Sequence, residues 1–199
     1  MRLQTIAMCI VLGTSSLLAS AQMPMGSGSG TAAGTIVAPA KAIDSELGLI
    51  EGQMMSAVKA MPADKFDFAP SAAVFAPGQK TEFATVRTFA QQATHVAQAN
   101  YFFYMTVGAM KPDVDVAGIS KLTKKDDVVA ALAGSFAFAH KAIATVTVAN
   151  AFEVVQIPEP GIQTRATLAQ FGVSHAFDHY GQMVEYLRMN GIVPPASAK

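Results

Sequence analysis

Four long segments of the sequence repeat apolar residues at the three- and four-residue spacing of one helix face. The first covers residues 43–61 and stops at Pro62, the second covers about residues 81–109, the third opens at Thr123, and the fourth covers about residues 164–190. Proline and glycine punctuate the stretches between them. Because helices with a single apolar stripe must bury it against one another, the sequence predicts an all-α fold, a four-helix bundle.

Residues at core spacing define the inner faces of the first three predicted helices. In chain order they are Ile43, Leu47, Ile50, Met54, Val58 and Met61; Phe83, Val86, Ala90, Ala93, Ala97 and Tyr104; and Val129, Leu132, Phe136, Ile143 and Val146. Thr123, followed three residues later by Asp126, is a variant of the capping box and predicts the start of the third helix. Residues 152–157 (FEVVQI) could be extended, but no segment of the sequence is patterned to pair with them, so we interpret them as a connection.

The N-terminal region predicts export. Residues 1–21 have the basic start, apolar run and Ala-Ser-Ala cleavage site of a secretory signal peptide, which would leave Gln22 as the first mature residue. Polar residues and a glycine at 13–16 interrupt the apolar run, which favours cleavage over a membrane span. Residues 22–39 are rich in Gly, Ser, Ala and Pro and predict a flexible linker. We therefore expect a periplasmic or secreted protein without stable membrane insertion after cleavage, its bundle domain covering residues 40–195.

Charge and cysteine content exclude several function classes. Lysine plus arginine and aspartate plus glutamate number 14 each, and no basic cluster is present, so nucleic acid is not an expected partner. The only cysteine, Cys9, lies inside the predicted signal peptide. The mature chain would therefore have no disulfide, no thiol nucleophile and no thiolate metal ligand.

Two of the four histidines lie four residues apart in the last predicted helix, within SHAFDHYGQ. Residues i and i+4 of a helix are about 40° apart around its axis, so His175 and His179 project from the same face. Polar residues occupy another face of this helix, which predicts that the pair points inward. From spacing alone, a shared metal ion and two hydrogen-bonded core histidines are equally good interpretations.

A metal site with room for water or substrate needs a third protein ligand. The other histidines, His95 and His140, are both candidates, and helical periodicity does not separate them. Asp44, Glu46 and Glu51 could form a carboxylate site, but acidic residues early in a helix usually complement its dipole. Asp178 or Gln182 could orient a ring N–H or a metal-bound water, although the position of Asp178 toward the polar face favours simple solvation.

Three stretches resemble the DinB-like four-helix-bundle proteins: TFAQQATHVAQANYFF around His95, ALAGSFAFAHKA in the third helix, and SHAFDHYGQMVEYLRMNGIVPP at the end. The family pattern has one histidine on the second helix and a His-x-x-x-His pair on the fourth, followed by a Gly-Gln, a Tyr-Leu-Arg and a Gly-Ile-x-Pro-Pro segment. The resemblance covers about residues 40–195.

The resemblance implies a metal site made by His95, His175 and His179. Members of the family bind zinc, nickel or iron through these three imidazoles and keep open positions for water. Some use the metal to activate a small thiol for transfer or isomerisation, and many have no known activity. The implied function is that of a metalloenzyme in which the metal activates a water or thiol nucleophile on a small-molecule substrate, in hydrolase- or transferase-type chemistry.

Two features depart from the family. Tyr180 stands where an arginine often follows the last histidine, so the substrate would differ if that arginine contacts an anion. Export is the larger departure, because small thiols are scarce outside the cytoplasm; it favours hydrolysis, or metal binding without turnover, over thiol transfer. The rival interpretation is a non-enzymatic periplasmic metal- or ligand-binding bundle, or a subunit of a homodimer.

Overall fold

Four long α-helices form the framework of the computed structural model, which describes residues 31–198 except for residues 75, 81, 83–85 and 158–162. They are α1 (Pro39–Ala60), α2 (Phe89–Gly108), α3 (Lys125–Ile143) and α4 (Arg165–Met189). The predicted helical fold is confirmed. The predicted signal peptide lies outside the described residues, as does most of the predicted linker.

Helix boundaries follow local capping chemistry more closely than apolar periodicity. α1 ends before Pro62 and α4 begins after Thr164, as predicted. α2 begins at Phe89 and not near residue 81, because Thr88 and Gln91 form a reciprocal capping box there. The predicted Thr123 cap is wrong: Lys124 precedes α3 and makes no side-chain cap.

The connection before α4 contains a short antiparallel strand pair. β1 (Val154–Val155) pairs with β2 (Gln163–Thr164), with Val154 opposite Thr164. The prediction that residues 152–157 have no strand partner is therefore wrong. The partner is only two residues long and leads directly into α4, so it carries no alternating pattern in the sequence.

The helices close around one apolar core. α1 and α2 each pack against both α3 and α4, which gives the order α1, α3, α2, α4 around the bundle. Fully buried side chains come from every helix: they include Leu47, Ile50, Met54, Phe89, Tyr104, Leu132, Phe136, Ile143, Leu168 and Met183. No helix in the described part of the chain has the length and apolar character needed to cross a bilayer.

A close approach between α2 and α4 sets their separation beside the histidines. The Tyr104 hydroxyl of α2 donates a hydrogen bond to the carbonyl oxygen of Ala169 in α4, at 3.0 Å. The ring crosses Gly172, where an added Cβ would lie only 2.7 Å from the Tyr104 oxygen. Gly172 precedes His175 by three residues, so this contact lies one helical turn from the first histidine of the pair.

Candidate metal centre

Three histidines from two adjacent helices converge at one point between α2 and α4. His95 Nε2 lies 3.2 Å from His175 Nε2, which in turn lies 3.2 Å from His179 Nε2. Within the described residues this is the one group of three whose geometry could hold a metal ion. His179 is buried, with 6% of its surface exposed, and the other two are half-buried.

The spacing of these nitrogens fits a tetrahedral metal site. Metal–imidazole bonds of about 2.0–2.1 Å at tetrahedral angles place ligand nitrogens about 3.3 to 3.4 Å apart, close to the 3.2 Å seen for two of the pairs. Three ring contacts keep the imidazoles in place: centroid distances are 5.1 Å for His95–His175, 4.7 Å for His95–His179 and 4.5 Å for His175–His179.

Hydrogen bonds among the three rings cannot satisfy all the converging nitrogens. If His175 Nε2 carries the hydrogen, it can donate a well-aligned hydrogen bond to Nε2 of His95 or to Nε2 of His179, but not to both. If that hydrogen sits on Nδ1 instead, it is buried and has no hydrogen-bond partner among the described residues, which is costly. A cation that accepts one lone pair from each Nε2 removes the need for hydrogen bonds among these three nitrogens.

A chain of amides orients His179. Its Nδ1 lies 2.6 Å from Gln92 Oε1, an acceptor, so Nδ1 carries the hydrogen and Nε2 keeps its lone pair. Gln92 Nε2 donates to Gln182 Oε1 at 2.8 Å, and Gln182 Nε2 donates to Asp178 Oδ2 at 3.1 Å. The residue that contacts the ring is therefore Gln92; Gln182 and Asp178 act through it.

Burial keeps the three rings neutral. It is the largest cause lowering the pKa of His95 to about 4, followed by the positive charge of Arg87 and by repulsion from His179 whenever that ring is also protonated. Burial and then the neighbouring histidines lower the pKa of His175 to about 4 as well. The pKa of His179 is also lowered by burial, with Asp178 acting in the opposite direction. At neutral pH all three imidazoles can offer a lone pair.

His140, the other sequence candidate, belongs to a different cluster. Its Nδ1 lies 2.5 Å from Asp44 Oδ1 and its Nε2 lies 2.9 Å from Glu51 Oε2. The two carboxylates thus meet opposite edges of the ring, and α1 is linked to α3. Burial opposes the charged form, but the two carboxylates outweigh it and raise the pKa of His140. Asp44 and Glu51 hold a histidine here, and Glu46 is exposed. Among the described residues these carboxylates form no group that could hold a metal ion.

Two cavities open beside the histidines. The larger, about 540 Å³, has an aromatic wall of Phe102, Phe103 and Phe171 and reaches both His95 and His175. The smaller, about 290 Å³, is lined by Arg87, Gln91, Thr94 and Ser120. His95 and Gln98 line both.

The family resemblance named the three histidines, but sequence reasoning did not single out Gln92 as their support. The signal was present, because Gln92 precedes His95 by three residues and so shares its side of α2. Tyr180, at the position where the family often has arginine, is half-buried, and burial raises the pKa of its hydroxyl group.

Comparison with known proteins agrees with the helical fold. A family model described as the DinB superfamily matches residues 49–183. The crystal structure of a DinB-like protein from Bacillus cereus ATCC 10987 matches with a TM-score of 0.61 and 10% sequence identity, covering 78% of this chain and 95% of that one. At this identity the match shows the shared fold alone. No curated protein sequence matches the chain.

Proposed function

The chain belongs to the DinB superfamily, and on that premise we propose that it binds one divalent metal ion, zinc, nickel or iron, through Nε2 of His95, His175 and His179. The observation that carries the proposal is the convergence of three neutral imidazole nitrogens at 3.2 Å spacing. Three neutral ligands suit several divalent ions, so supply and geometry would select among them.

The proposed chemistry is activation of a water or thiol nucleophile on a small-molecule substrate. A divalent metal held by three neutral imidazoles keeps its positive charge and lowers the pKa of a bound water or thiol. The protein's own contribution is to hold the site: Gln92 fixes the His179 tautomer, and burial keeps the rings unprotonated. The two cavities give a substrate access to His95.

Export, which we propose from the signal-peptide pattern of residues 1–21, bears on the choice of reaction. A periplasmic or secreted protein meets little of the small thiols made in the cytoplasm, so hydrolysis is favoured over thiol transfer. Metal-dependent turnover of esters, amides or thiol adducts would support the enzyme. Stoichiometric metal without turnover of any of these would support a non-enzymatic metal-binding bundle.

The first experiment is elemental analysis of the mature protein, purified without a histidine tag. We expect about one equivalent of zinc, nickel or iron in the wild type and almost none in His95→Ala. His140→Ala is the matched control, because it also removes a histidine but lies outside the three-histidine site; it should retain the metal. A wild type that neither carries nor takes up metal would refute the proposal.

A further inference from the structure

The larger cavity beside the histidines is built to receive an apolar group. Its volume of about 540 Å³ is within the range of ligand sites. Phe103 packs edge-on against Phe171 at 5.2 Å, Phe102 at 5.6 Å and His175 at 5.5 Å, each a centroid distance. Phe102 and Phe171 nevertheless leave 39% and 44% of their surface exposed. Covering this aromatic surface would be favourable for a ligand with a flat apolar group.

The smaller cavity offers the opposite chemistry. Arg87 is exposed there, and its carbonyl oxygen accepts a hydrogen bond from the Tyr186 hydroxyl at 3.1 Å, which ties its backbone to α4. The carboxylates of Asp44, Glu51, Glu153 and Glu185 form ion pairs with other residues and not with its guanidinium. Arg87 and His95 line this same cavity, so the charge of Arg87 lies beside the histidines.

His95 and Gln98 join the two cavities. Both side chains line each one, and Gln98 is held by a 2.9 Å hydrogen bond from its Nε2 to the carbonyl oxygen of Val116. A molecule that spans the two cavities must therefore pass His95, and hence the converging histidine nitrogens, with its middle portion. Its apolar end and its charged end would lie on opposite sides of them.

We propose that the substrate is an amphipathic anion. Its aromatic or similarly bulky apolar group occupies the cavity of Phe102, Phe103 and Phe171, its anionic group pairs with Arg87, and its reacting polar group lies between them at the histidines. This inference rests on the proposed metal-dependent function.

The test uses three thiol probes on the cobalt-substituted mature protein, in the absence of oxygen. 2-Benzyl-3-sulfanylpropanoate carries the thiol, the aromatic group and the carboxylate; 3-phenylpropane-1-thiol lacks the carboxylate; 3-sulfanylpropanoate lacks the aromatic group. Each is titrated through the absorption of the cobalt–thiolate bond. Since all three have the same thiol, differences in Kd report the two ends of the ligand and not the metal.

We expect loss of the benzyl group to weaken binding about tenfold or more. Arg87→Gln should weaken the carboxylate-bearing probes about three- to fivefold, as befits an exposed ion pair, and leave 3-phenylpropane-1-thiol unchanged. Arg188→Gln is the matched control, because Arg188 pairs with Glu185 on the exposed side of α4. Phe171→Ala should weaken the aromatic probes, and Phe152→Ala, at a position 79% exposed and outside the cavity, should not.

The outcomes separate this inference from the metal site. A protein that takes up neither cobalt nor zinc, nickel or iron refutes the proposed function. Cobalt uptake with equal Kd values for all three probes, or with no effect of Arg87→Gln, overturns the amphipathic anion alone. Sedimentation of the same proteins adds a further check: a wild-type dimer that Phe171→Ala dissociates would make the aromatic cavity a subunit interface and would also overturn the inference.

Discussion

At the scale of single residues, the orientation of the site depends on the hydrogen bond between His179 Nδ1 and Gln92 Oε1. Gln92 is buried, with 2% of its surface exposed, and its amide nitrogen is held by Gln182. A buried amide held in this way can select one tautomer of His179. A mobile water molecule in the same place would select that tautomer less strongly. Partners of this kind commonly change metal affinity when they are removed.

Gln92→Leu should therefore weaken metal affinity by about tenfold to a hundredfold without unfolding the bundle. Gln92→Glu keeps an acceptor for the His179 Nδ1 hydrogen and should restore most of the affinity. Competition with a chromophoric chelator measures both, and circular dichroism checks the helical content. Equal loss of affinity in both variants would show that the acceptor oxygen is not what matters.

At the scale of elements, the approach of α2 to α4 fixes the distance across which His95 meets the pair on α4. Gly172 permits this approach, since Tyr104 occupies the space that a side chain would need. The constraint is steric and local to one turn of α4. Elsewhere in the same helix, Gly181 faces open space.

Gly172→Ala should lower the free energy of unfolding by about 1 to 3 kcal/mol and weaken metal binding, because the helices must separate or the Tyr104 ring must move. Gly181→Ala is the matched control, and it should raise stability by up to about 1 kcal/mol through helix propensity alone. Urea unfolding of the metal-free proteins gives both values. Equal changes in the free energy of unfolding for the two substitutions would mean that helix propensity, and not the contact with Tyr104, determines the effect of Gly172→Ala.

The link between α1 and α3 through His140 should make stability depend on pH. Its pKa is raised in the fold, so its contribution is fully present below the unfolded value of about 6.5 and is lost as pH rises through the folded pKa. Partial exposure of Asp44 and Glu51 limits the effect to about 1 kcal/mol or less.

The measurement compares wild type with His140→Gln in urea at pH 5.5 and pH 8.5, with a chelator present. The wild type should lose more of its unfolding free energy between the two pH values than the variant. The three site histidines, whose pKa values are lowered, act in the opposite direction but equally in both proteins. A difference that is independent of pH would show that folding does not raise the pKa of His140.

At the scale of the whole molecule, the fold and the metal site are largely separable. The core is apolar and comes from all four helices, whereas the site is confined to facing residues of α2 and α4. Such a core does not need a metal to form, unlike that of small zinc domains.

We therefore expect the metal-free protein and His95→Ala to keep the helical content of the wild type. Metal should raise the stability of the wild type alone, by about 2.7 kcal/mol when free metal exceeds Kd a hundredfold. Thermal unfolding with and without metal measures this. Unfolding of the wild type on chelation would show that metal and fold are coupled.

The proposed export is a prediction about the whole chain. Expressed from residue 1 in a bacterium with two membranes, the protein should appear in the periplasmic fraction with Gln22 as its first residue, as shown by intact mass. A chain starting at residue 22 after an initiator methionine is the control and should stay in the cytoplasm. Periplasmic protein of uncleaved mass would contradict the predicted cleavage.

The number of long helices, the C-terminal end of α1, both ends of α4 and the inward-facing His175–His179 pair could be predicted from the sequence, because apolar spacing and breaking residues act over a few residues. The start of α1 at Pro39 lies upstream of the apolar pattern that begins at Ile43. The start of α2 was missed because its apolar pattern continues upstream of the Thr88 cap. β1 and β2 were missed because two-residue strands carry no period. Both errors concern local features of the sequence: a helix cap inside a longer apolar pattern, and strands too short to show alternation.

The sequence by itself identifies the histidines that could ligate a metal, and the family resemblance names His95 as the third ligand beside His175 and His179. On periodicity alone, His95 and His140 were equal candidates. Only the tertiary structure places His95 beside the pair and His140 between Asp44 and Glu51, and only it assigns the support of His179 to Gln92. The reason is physical: helical periodicity determines which side of a helix a residue occupies, whereas the packing of helices some 80 residues apart in the chain determines which sides meet.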